Sequence, residues 1–362
     1  MSLRPEPPLR HGTPSRTGIL LVNLGSPAEP TAAATRRYLA EFLSDPRVVE
    51  IPRLVWWPIL HGIILRVRPA RSAAKYASIW MPEGSPLAVW TQRLAQGLRA
   101  AFDQSGQAVV VQQAMRYGSP SVADGLDALR ASGATRVLVL PLYPQYASAT
   151  TASIWDAVGR WAGAARHLPE FRFVNRYGDE PDYIEALADS VRSHWDAKGR
   201  GRMLVMTFHG LPERSLMLGD PYHCECHKTA RLLAQALGLS PAEYKVTFQS
   251  RFGRAQWLRP YTEPSLQEMA AAGLERVDVI CPGFPVDCLE TLEEIGLEAR
   301  DAFLQAGGRE FHYIACLNDT PGAVAAIAAV ARRHLQGWPL SLPDSAELTL
   351  QRERALHLGA AD

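Results

Sequence analysis

The apolar segments of this chain occur in an order that repeats, and this repeat constrains the possible folds more than any other feature. Short runs rich in Val, Ile and Leu and bounded by Gly or Pro are typical of buried parallel strands. Such runs lie, four to each half of the chain, at residues 19–24, 108–114, 136–140, 171–175, 203–208, 244–249, 277–280 and 311–315. Helical patterns separate most of them, so the sequence predicts βαβ units and an α/β fold with parallel sheets.

The two halves also match in residue detail. LLVNLGSP (20–27) is similar to LVMTFHGLP (204–212), and VVVQQAMRYG (109–118) is similar to YKVTFQSRFG (244–253). The step from the third strand to the fourth is 35 residues in the first half and 34 in the second. This match predicts two α/β domains of like topology, although any two βαβ runs share some of the pattern.

The halves differ in a long insertion, residues 26–107, between the first two strands of the first half. It contains LVWWPILHGIIL (54–65) and the segment Trp80-Met81-Pro82. Long insertions at the carboxyl end of a strand are often lids, and open α/β sheets bind ligands outside those ends. We expect a cleft between the halves, covered by an apolar lid that suits a large flat hydrophobic ligand or a partner surface. The alternative is a helix that simply packs on the core.

Composition and charge disfavour several function classes. The chain has 38 Lys and Arg against 37 Asp and Glu, a net charge of +1, so nothing indicates nucleic acid as a partner. Neither G-x-G-x-x-G nor a P-loop motif occurs, which disfavours nucleotide binding. The 5 cysteines are too few for a disulfide scaffold. Residues 1–18 lack the apolar core of a secretory signal, and residues 54–65 are shorter than the ~20 residues that cross a bilayer. We therefore expect a cytoplasmic protein.

An imidazole and several carboxylates follow predicted strands of the second half. His209 comes directly after the first of these strands, and Asp287, Glu290, Glu294 and Glu298 follow the third. Their spacing of 3, 4 and 4 residues places the acids on one face of a predicted helix. Carboxylate and imidazole together suit Fe(II), and an acidic row suits the conduction of cations or protons. The alternatives are a solvated acidic face and a capping box in which Asp287 is the N-cap and Glu290 completes it.

The first half supplies aromatic rings, hydroxyls and a cation at its own strand ends. Arg116 and Tyr117 follow its second strand, and Tyr146 lies in LYPQYASATT after the third. Such a set suits a ligand with a π-system and carboxylate tails. Trp257 of the second half belongs to this set or to the core.

The cysteines give little support for a metal cluster. PYHCECH (221–227) contains Cys224 and Cys226 flanked by histidines, but it lacks the Cys-x-x-Cys spacing of closed zinc sites. Cys281, Cys288 and Cys316 are scattered among strand ends, and no group of four thiolates suggests an iron–sulfur cluster.

Six motifs, all in the expected order, resemble the ferrochelatase family, whose members insert Fe(II) into a porphyrin. They are LLVNLGSP, MRYG, LYPQYASATT, TFHGLP, QSRFG with WLRPYT, and CPGFPVDCLETLEEI. The resemblance covers residues 18–338 and implies two similar Rossmann-like domains, each a parallel four-stranded sheet flanked by helices, with the active-site cleft between them. The implied division is an N-terminal domain at 17–175, a C-terminal domain at 176–315, a helix packing back on the first domain at 316–338, and flexible tails at 1–16 and 339–362.

The same resemblance implies roles for the candidate residues. His209 and Glu290 match the family's pair of iron-site residues, which face each other across the porphyrin and include the proton acceptor. Asp287 and Glu294 match acidic residues that lead away from the site. The matching porphyrin-pocket positions are Arg116, Tyr117, Tyr146, Phe284 and Trp257.

Porphyrin and ferrous iron are the substrates that the resemblance implies, with no prosthetic group. No [2Fe–2S] cluster is expected, because residues 339–362 contain no cysteine. Cys288 stands where some relatives have a histidine, which resembles the proteobacterial branch and favours protoporphyrin IX over coproporphyrin. The alternatives are a chelatase for another tetrapyrrole or metal and a non-catalytic porphyrin or haem carrier. A transient contact with a membrane surface or a haem-pathway protein is a further expectation.

Overall fold

Two runs of alternating strands and helices make up the chain, for which a computed structural model describes residues 3, 4, 6, 10–253 and 255–361. The first half contains β1 (Arg16–Asn23), α1 (Ala32–Leu43), α2 (Arg53–Ile59), α3 (Leu65–Ile79), α4 (Pro86–Gln104), β2 (Val109–Met115), α5 (Val122–Ala131), β3 (Ala134–Pro141), α6 (Ser153–Ala162) and β4 (Glu170–Phe173). The second half contains α7 (Pro181–Lys198), β5 (Leu204–His209), α8 (Glu213–Met217), α9 (Tyr222–Ala236), β6 (Tyr244–Gln249), α10 (Thr262–Ala271), β7 (Arg276–Ile280), α11 (Arg300–Gln305), β8 (Glu310–Ile314), α12 (Pro321–His334) and α13 (Ser345–His357). Three π-helical segments lie between these elements, at Leu60–Ile64, Ser148–Ala152 and Glu290–Ala299.

The strands form two parallel sheets of identical connectivity. Their orders are β2-β1-β3-β4 and β6-β5-β7-β8, and every adjacent pair is parallel. Each predicted strand is present, with its ends displaced by at most three residues. The predicted α/β fold with two similar domains is therefore confirmed. The matching strand order also supports the derivation of both halves from one unit.

The two sheets share one apolar core. Along β1, Ile19 and Leu21 face a cluster that also takes in Met206 and Phe208 of β5. Leu20 and Val22 face a second cluster that lies under α5 and α6. A central strand buried on both faces explains the continuous apolar run in its sequence. Helix α12 contacts α4, α7 and β3, so the C-terminal helix also joins the halves.

The insertion between β1 and β2 folds into α1 to α4. The Thr31 and Ser85 side chains accept bonds from backbone N–H groups at the starts of α1 and α4, as good N-caps do. Pro58 lies inside α2 and has no N–H to donate, and the helix widens into the π segment shortly after it. Leu60 and Leu65 are buried in a small cluster with α1 and Tyr117.

Much of the apolar surface of the insertion faces solvent. Leu54 is 92% exposed, and Val55, Trp57, Ile63 and Val67 are each about half exposed. The segment 54–65 is therefore only partly packed, through Leu60 and Leu65 in the cluster with α1 and Tyr117. No helix in the described part of the chain is long and apolar enough to span a bilayer.

The predicted C-terminal tail contains α13, which the sequence analysis did not anticipate. Before this helix, the carbonyl of Pro339 accepts a bond from Thr17 Oγ1 at 2.8 Å, and that of Leu340 from Ala108 N at 2.6 Å. Residues 339 and 340 are thus attached to the first sheet. The prediction of an N-terminal tail falls partly outside the described residues, at positions 1, 2, 5 and 7–9.

Candidate functional site

A crevice with about 250 Å³ of empty space, part of it open to solvent, lies between the insertion and the second half. Its walls come from the segment after β1, from α3, from the start of α4 and from the segment after β7. The lining residues are Leu24, Gly25, Ser26, Tyr76, Ile79, Ser85, Pro86, Leu87, Cys288, Leu289 and Glu290. Strand carboxyl ends from both halves therefore meet at one place, as expected for open α/β sheets.

Gly25 holds one wall of this crevice close to the neighbouring chain. It has φ +103°, and a Cβ there would lie 1.8 Å from the carbonyl oxygen of Tyr117. Only glycine tolerates both conditions. This close approach explains the Gly in LLVNLGSP.

His209 ends β5 and is oriented by its own neighbour. Its Nδ1 lies 2.6 Å from the carbonyl oxygen of Gly210. A carbonyl oxygen only accepts, so Nδ1 carries a proton, and in the neutral tautomer the lone pair then lies on Nε2. A Cβ on Gly210 would lie 2.6 Å from the Gln249 carbonyl oxygen, which accounts for the glycine after the histidine. The Trp257 ring lies beside His209, with centroids 6.4 Å apart.

Glu290, Glu294 and His209 belong to one electrostatic group. Glu290 is the first residue of the π segment and lines the crevice, and the charges of both Glu290 and His209 act on Glu294. Burial raises the pKa of Glu294, and the N–H and hydroxyl of Ser250, each 2.6 Å from a carboxylate oxygen, only partly offset this. The structure thus brings together three of the predicted residues. Their catalytic roles stay predictions.

Three tyrosines that the sequence analysis missed surround Glu290. Burial, together with the charge of Glu290, raises the pKa values of Tyr38, Tyr76 and Tyr143. The hydroxyl of Tyr143 has no hydrogen-bond partner among the described residues. Of the three, only Tyr143 could have been found from the sequence, because it lies in the motif LYPQYASATT. Tyr38 and Tyr76 lie on the insertion, and the strand pattern does not predict that the helices of the insertion reach the site.

Asp287 is held in a hydrogen-bond network of its own. It is buried, and its carboxylate accepts bonds from Thr291 Oγ1 at 2.9 Å, Tyr313 OH at 2.5 Å and Asn318 Nδ2 at 2.7 Å. Asp287 precedes the π segment, and its carboxylate is bonded to these three donors, so its part in a relay stays a prediction.

The predicted capping box is also wrong. The N–H of Cys288 bonds Thr291 Oγ1 at 2.9 Å, and no side chain caps the π segment at Leu289. The acidic row itself divides, because i→i+5 bonding changes which residues are neighbours. Glu294 faces Ser250, whereas Glu298 is bound with Glu293 to Lys75.

Arg116 and Tyr117 form a buried network. Arg116 Nη2 lies 2.5 Å from Asp45 Oδ2, its Nε is 2.6 Å from Ser153 Oγ, and the Tyr117 hydroxyl donates to Asp45 at 2.9 Å. Burial opposes ionisation of Asp45, yet bonds from Ser153, the Arg47 N–H and Tyr117 lower its pKa overall. Asp45 thus neutralises Arg116. The predicted cation for ligand carboxylates is thus already paired, and the porphyrin-binding role of Arg116 stays a prediction.

The remaining predicted pocket residues have mixed surroundings. Tyr146 is half-buried, and its N–H donates to Glu225 Oε2 at 2.7 Å, which ties the loop after β3 to α9. Phe284 packs between two core clusters. Trp257 is buried, as the core alternative predicted, while also touching His209.

The two thiols of the Cys-x-Cys segment do not share a site. Both lie on α9, where Cys224 is exposed and Cys226 is buried in the main core. This separation agrees with the low weight that the spacing gave to a zinc site there.

Comparisons with known proteins identify the family. The family model described as Ferrochelatase matches residues 16–335. A ferrochelatase of Polaromonas sp. is 64% identical, covering 99% of this chain and 100% of that protein, and one of Methylibium petroleiphilum is 63% identical, covering 99% of each. Among solved structures, SirB from Bacillus subtilis with Fe³⁺ has a TM-score of 0.53 at 13% identity, covering 90% of this chain and 100% of that one, which shows a common fold. This chain belongs to the ferrochelatase family.

Proposed function

We propose that the protein inserts Fe(II) into protoporphyrin IX, the last step of haem synthesis, and that the macrocycle binds in the crevice under the insertion. The proposal rests chiefly on the position of Glu290, which lines the crevice and acts with His209 on the buried carboxyl of Glu294. High identity to ferrochelatases over the whole chain supports it. The reaction needs no prosthetic group, and Fe(II) is a substrate.

His209 suits the role of proton acceptor. A free porphyrin must lose two inner N–H protons as the metal enters, so a base is needed on one side of the ring. The bond that Nδ1 donates to the Gly210 carbonyl holds the ring in place and, in the neutral tautomer, puts the lone pair on Nε2. Binding energy from aromatic contacts elsewhere on the ring would tilt the nitrogen lone pairs towards the metal.

Glu290 and Glu294 suit the transport of protons or of iron. Glu290 faces the crevice, and Glu294 lies behind it, held by Ser250. Because burial raises the pKa of Glu294, this carboxyl accepts a proton more readily than a surface glutamate does. A proton taken by His209 therefore has an acceptor close by.

The crevice must open for a tetrapyrrole to enter. The volume inside it that a water molecule can reach is only about 10 Å³, far less than the ~300–1,000 Å³ of sites that enclose ligands of this size. The wall that can move is the insertion, which Lys75 attaches to the π segment through Glu293 at 3.0 Å and Glu298 at 2.7 Å. We therefore assign to the insertion the role of a lid.

An anaerobic insertion assay tests the proposed function. Protein is mixed with excess Fe(II) and either protoporphyrin IX or coproporphyrin, and metalloporphyrin is followed by its absorption. We expect many turnovers per chain with protoporphyrin IX and fewer with coproporphyrin. A single stoichiometric spectral shift would indicate a carrier, and preferred turnover of coproporphyrin would overturn the substrate assignment.

The exposed face of the lid suits an anionic membrane surface. Leu54, Val55, Ile63 and Val67 point into solvent, and the basic residues Arg53, Arg66, Arg68 and Arg71 lie along the same segment. Apolar side chains flanked by arginines bind the interface of bilayers with acidic lipids. We place the protein in the cytoplasm, where it can reach such a membrane surface. The membrane also dissolves the apolar porphyrin.

Vesicle sedimentation measures this contact. We expect the protein to pellet with vesicles that contain acidic phospholipid, less so with neutral ones, and to remain in the supernatant when Leu54 and Val55 are both changed to Ser. Equal recovery of both proteins in the supernatant with acidic vesicles would contradict the membrane contact.

A further inference from the structure

Two histidines and an aspartate meet in the second domain, away from the crevice. Asp278 and His312 are paired across the parallel strands β7 and β8, so their side chains lie on the same face of the sheet. His194 reaches them from α7, which packs against β8. One potential ligand atom from each residue lies within 4.8 Å of the other two.

The imidazole of His194 lacks a partner. Its Nε2 is buried and accepts or donates no hydrogen bond among the described residues. The rings of His194 and His312 are 5.4 Å apart, and an unpartnered buried nitrogen beside a second imidazole and a carboxylate is a feature of metal sites.

The carboxylate of Asp278 is held in place by neighbours that leave it room for a ligand. Its Oδ2 accepts from Trp195 Nε1 and from the Gly201 N–H, both at 2.8 Å. Only the longer contacts of Arg276 Nε and Nη2, at 3.3 Å, reach its Oδ1. Carboxylate oxygens accept about four bonds in total, and ligating carboxylates are commonly bonded in this way by their surroundings.

The cluster has a positively charged neighbour, so it attracts a metal ion less strongly than the three residues alone would. The guanidinium of Arg276 contacts Asp278, but it is also bound to the Lys198 carbonyl at 2.8 Å. Glu310 lies 3.6 Å from Arg276 and 3.4 Å from His312 Nε2, so its charge offsets that of the arginine.

We propose that His194, Asp278 and His312 bind a divalent transition-metal ion such as Zn²⁺, Co²⁺ or Fe²⁺. Two imidazoles and a carboxylate are a ligand set for such ions, with water completing the coordination. Ligand atoms in these sites lie ~2.0–2.2 Å from the metal, so the three side chains must draw closer together. The half-buried His312 and His194 have the freedom to do so.

This site is separate from the porphyrin crevice. Asp278 is paired with Leu204, and His209 is five residues further along the same strand. At ~3.3 Å per residue the two places are ~16 Å apart along β5. A metal bound here would join α7, β7 and β8 without contacting the porphyrin.

Cobalt binding to the full-length protein without porphyrin tests the proposal. The reference protein carries His209→Ala and Glu290→Gln, so that metal bound at those residues does not interfere. We expect one Co²⁺ per chain, with a visible spectrum typical of nitrogen and oxygen ligands. The bound Co²⁺ should not protect the cysteine thiols from thiol reagents. Adding His312→Gln or His194→Gln should weaken binding at least ~10-fold, because even the partners of metal ligands contribute 10–100-fold.

His223→Gln in the same background is the matched control, since His223 on α9 lies 4.5 Å from His227, ring centroid to ring centroid, near Cys224 and offers a competing site. Co²⁺ affinity that is unchanged by His312→Gln and His194→Gln, or lost in the His223 variant alone, would overturn the proposal.

Should circular dichroism show that the two variants do not fold, Zn²⁺ is titrated into ¹⁵N-histidine-labelled wild type. Imidazole signals of His194 and His312 should then shift, and their constancy would likewise overturn it.

Discussion

At the scale of single residues, the site depends on which groups are held and which are left unpaired. His209 has its Nδ1 engaged by the Gly210 carbonyl, and Glu294 has its carboxylate engaged by Ser250. The guanidinium of Arg116, in contrast, is already bonded to Asp45 and Ser153. The proposed reaction would therefore use Nε2 of His209 and the carboxyls of Glu290 and Glu294.

Replacing His209 should separate catalysis from binding. We expect His209→Ala to abolish iron insertion, because the proton acceptor is lost, while porphyrin affinity changes by less than tenfold, about 1.4 kcal/mol. Anaerobic insertion kinetics and fluorescence titration with porphyrin measure the two effects. His357→Ala, on exposed α13, serves as control. Wild-type turnover in His209→Ala would remove this residue from the mechanism.

Glu294 should affect the pH dependence of stability. Its pKa in the folded protein is raised above the ordinary 4.5 by burial, so the folded state binds this proton more tightly than the unfolded chain does. The resulting stability is fully present below the ordinary pKa and is lost as pH rises through the raised pKa.

The variant Glu294→Gln mimics the neutral acid at every pH. Its Tm minus that of the wild type should therefore increase as the pH rises from 4.5. Thermal unfolding followed by circular dichroism at several pH values measures this difference. A Tm difference that stays constant across the range would show that Glu294 titrates at its ordinary pKa.

At the scale of elements, the π segment after β7 decides which acids face which neighbours. It presents Glu290 to the crevice and Glu294 to Ser250, and it presents Glu293 and Glu298 to Lys75 on α3 of the lid. A sequence pattern based on an α-helical period assigns these acids to one row, whereas the wider helix distributes them between two neighbours.

Lys75 should control how often the lid separates from the π segment. Partly exposed ion pairs contribute ~0.2–1 kcal/mol, which corresponds to a roughly 1.4- to 5-fold change in an opening equilibrium. We expect Lys75→Met to increase amide hydrogen exchange in α3 and in the π segment by this factor. Lys228→Met, whose ion pair with Asp179 lies outside the lid, should leave exchange in α3 unchanged. Equal exchange in α3 of Lys75→Met and wild type would contradict the bridge.

At the scale of the whole molecule, the two similar domains share one apolar core. A single core cluster includes Leu98 of α4, Phe208 of β5 and Ile327 of α12, so both sheets are buried against the same helices. Separation of the halves would expose this shared apolar surface to water.

Calorimetry should therefore show one unfolding transition. Leu98→Ala, at a completely buried position, should lower the unfolding free energy by ~2–5 kcal/mol and shift that transition without splitting it. Leu54→Ala, at an exposed position, should have little effect. Two resolved transitions in either protein would show that the halves unfold separately.

The sequence by itself determined the sheets, the repeat and the family. Buried strands such as β1 and β5 are short apolar runs whose identity needs no knowledge of distant contacts. His209 and Glu290 were found in the same way, because each follows a strand at the edge where parallel sheets bind ligands.

Only the tertiary structure decided what each site residue faces. Asp287 accepts three bonds from Thr291, Tyr313 and Asn318, and Arg116 is neutralised by Asp45, which lies far from it in the chain. Two of the tyrosines around Glu290, Tyr38 and Tyr76, come from the insertion. Pairings of this kind depend on long-range packing and on electrostatics in buried surroundings. Neither of these leaves a periodic trace in the sequence.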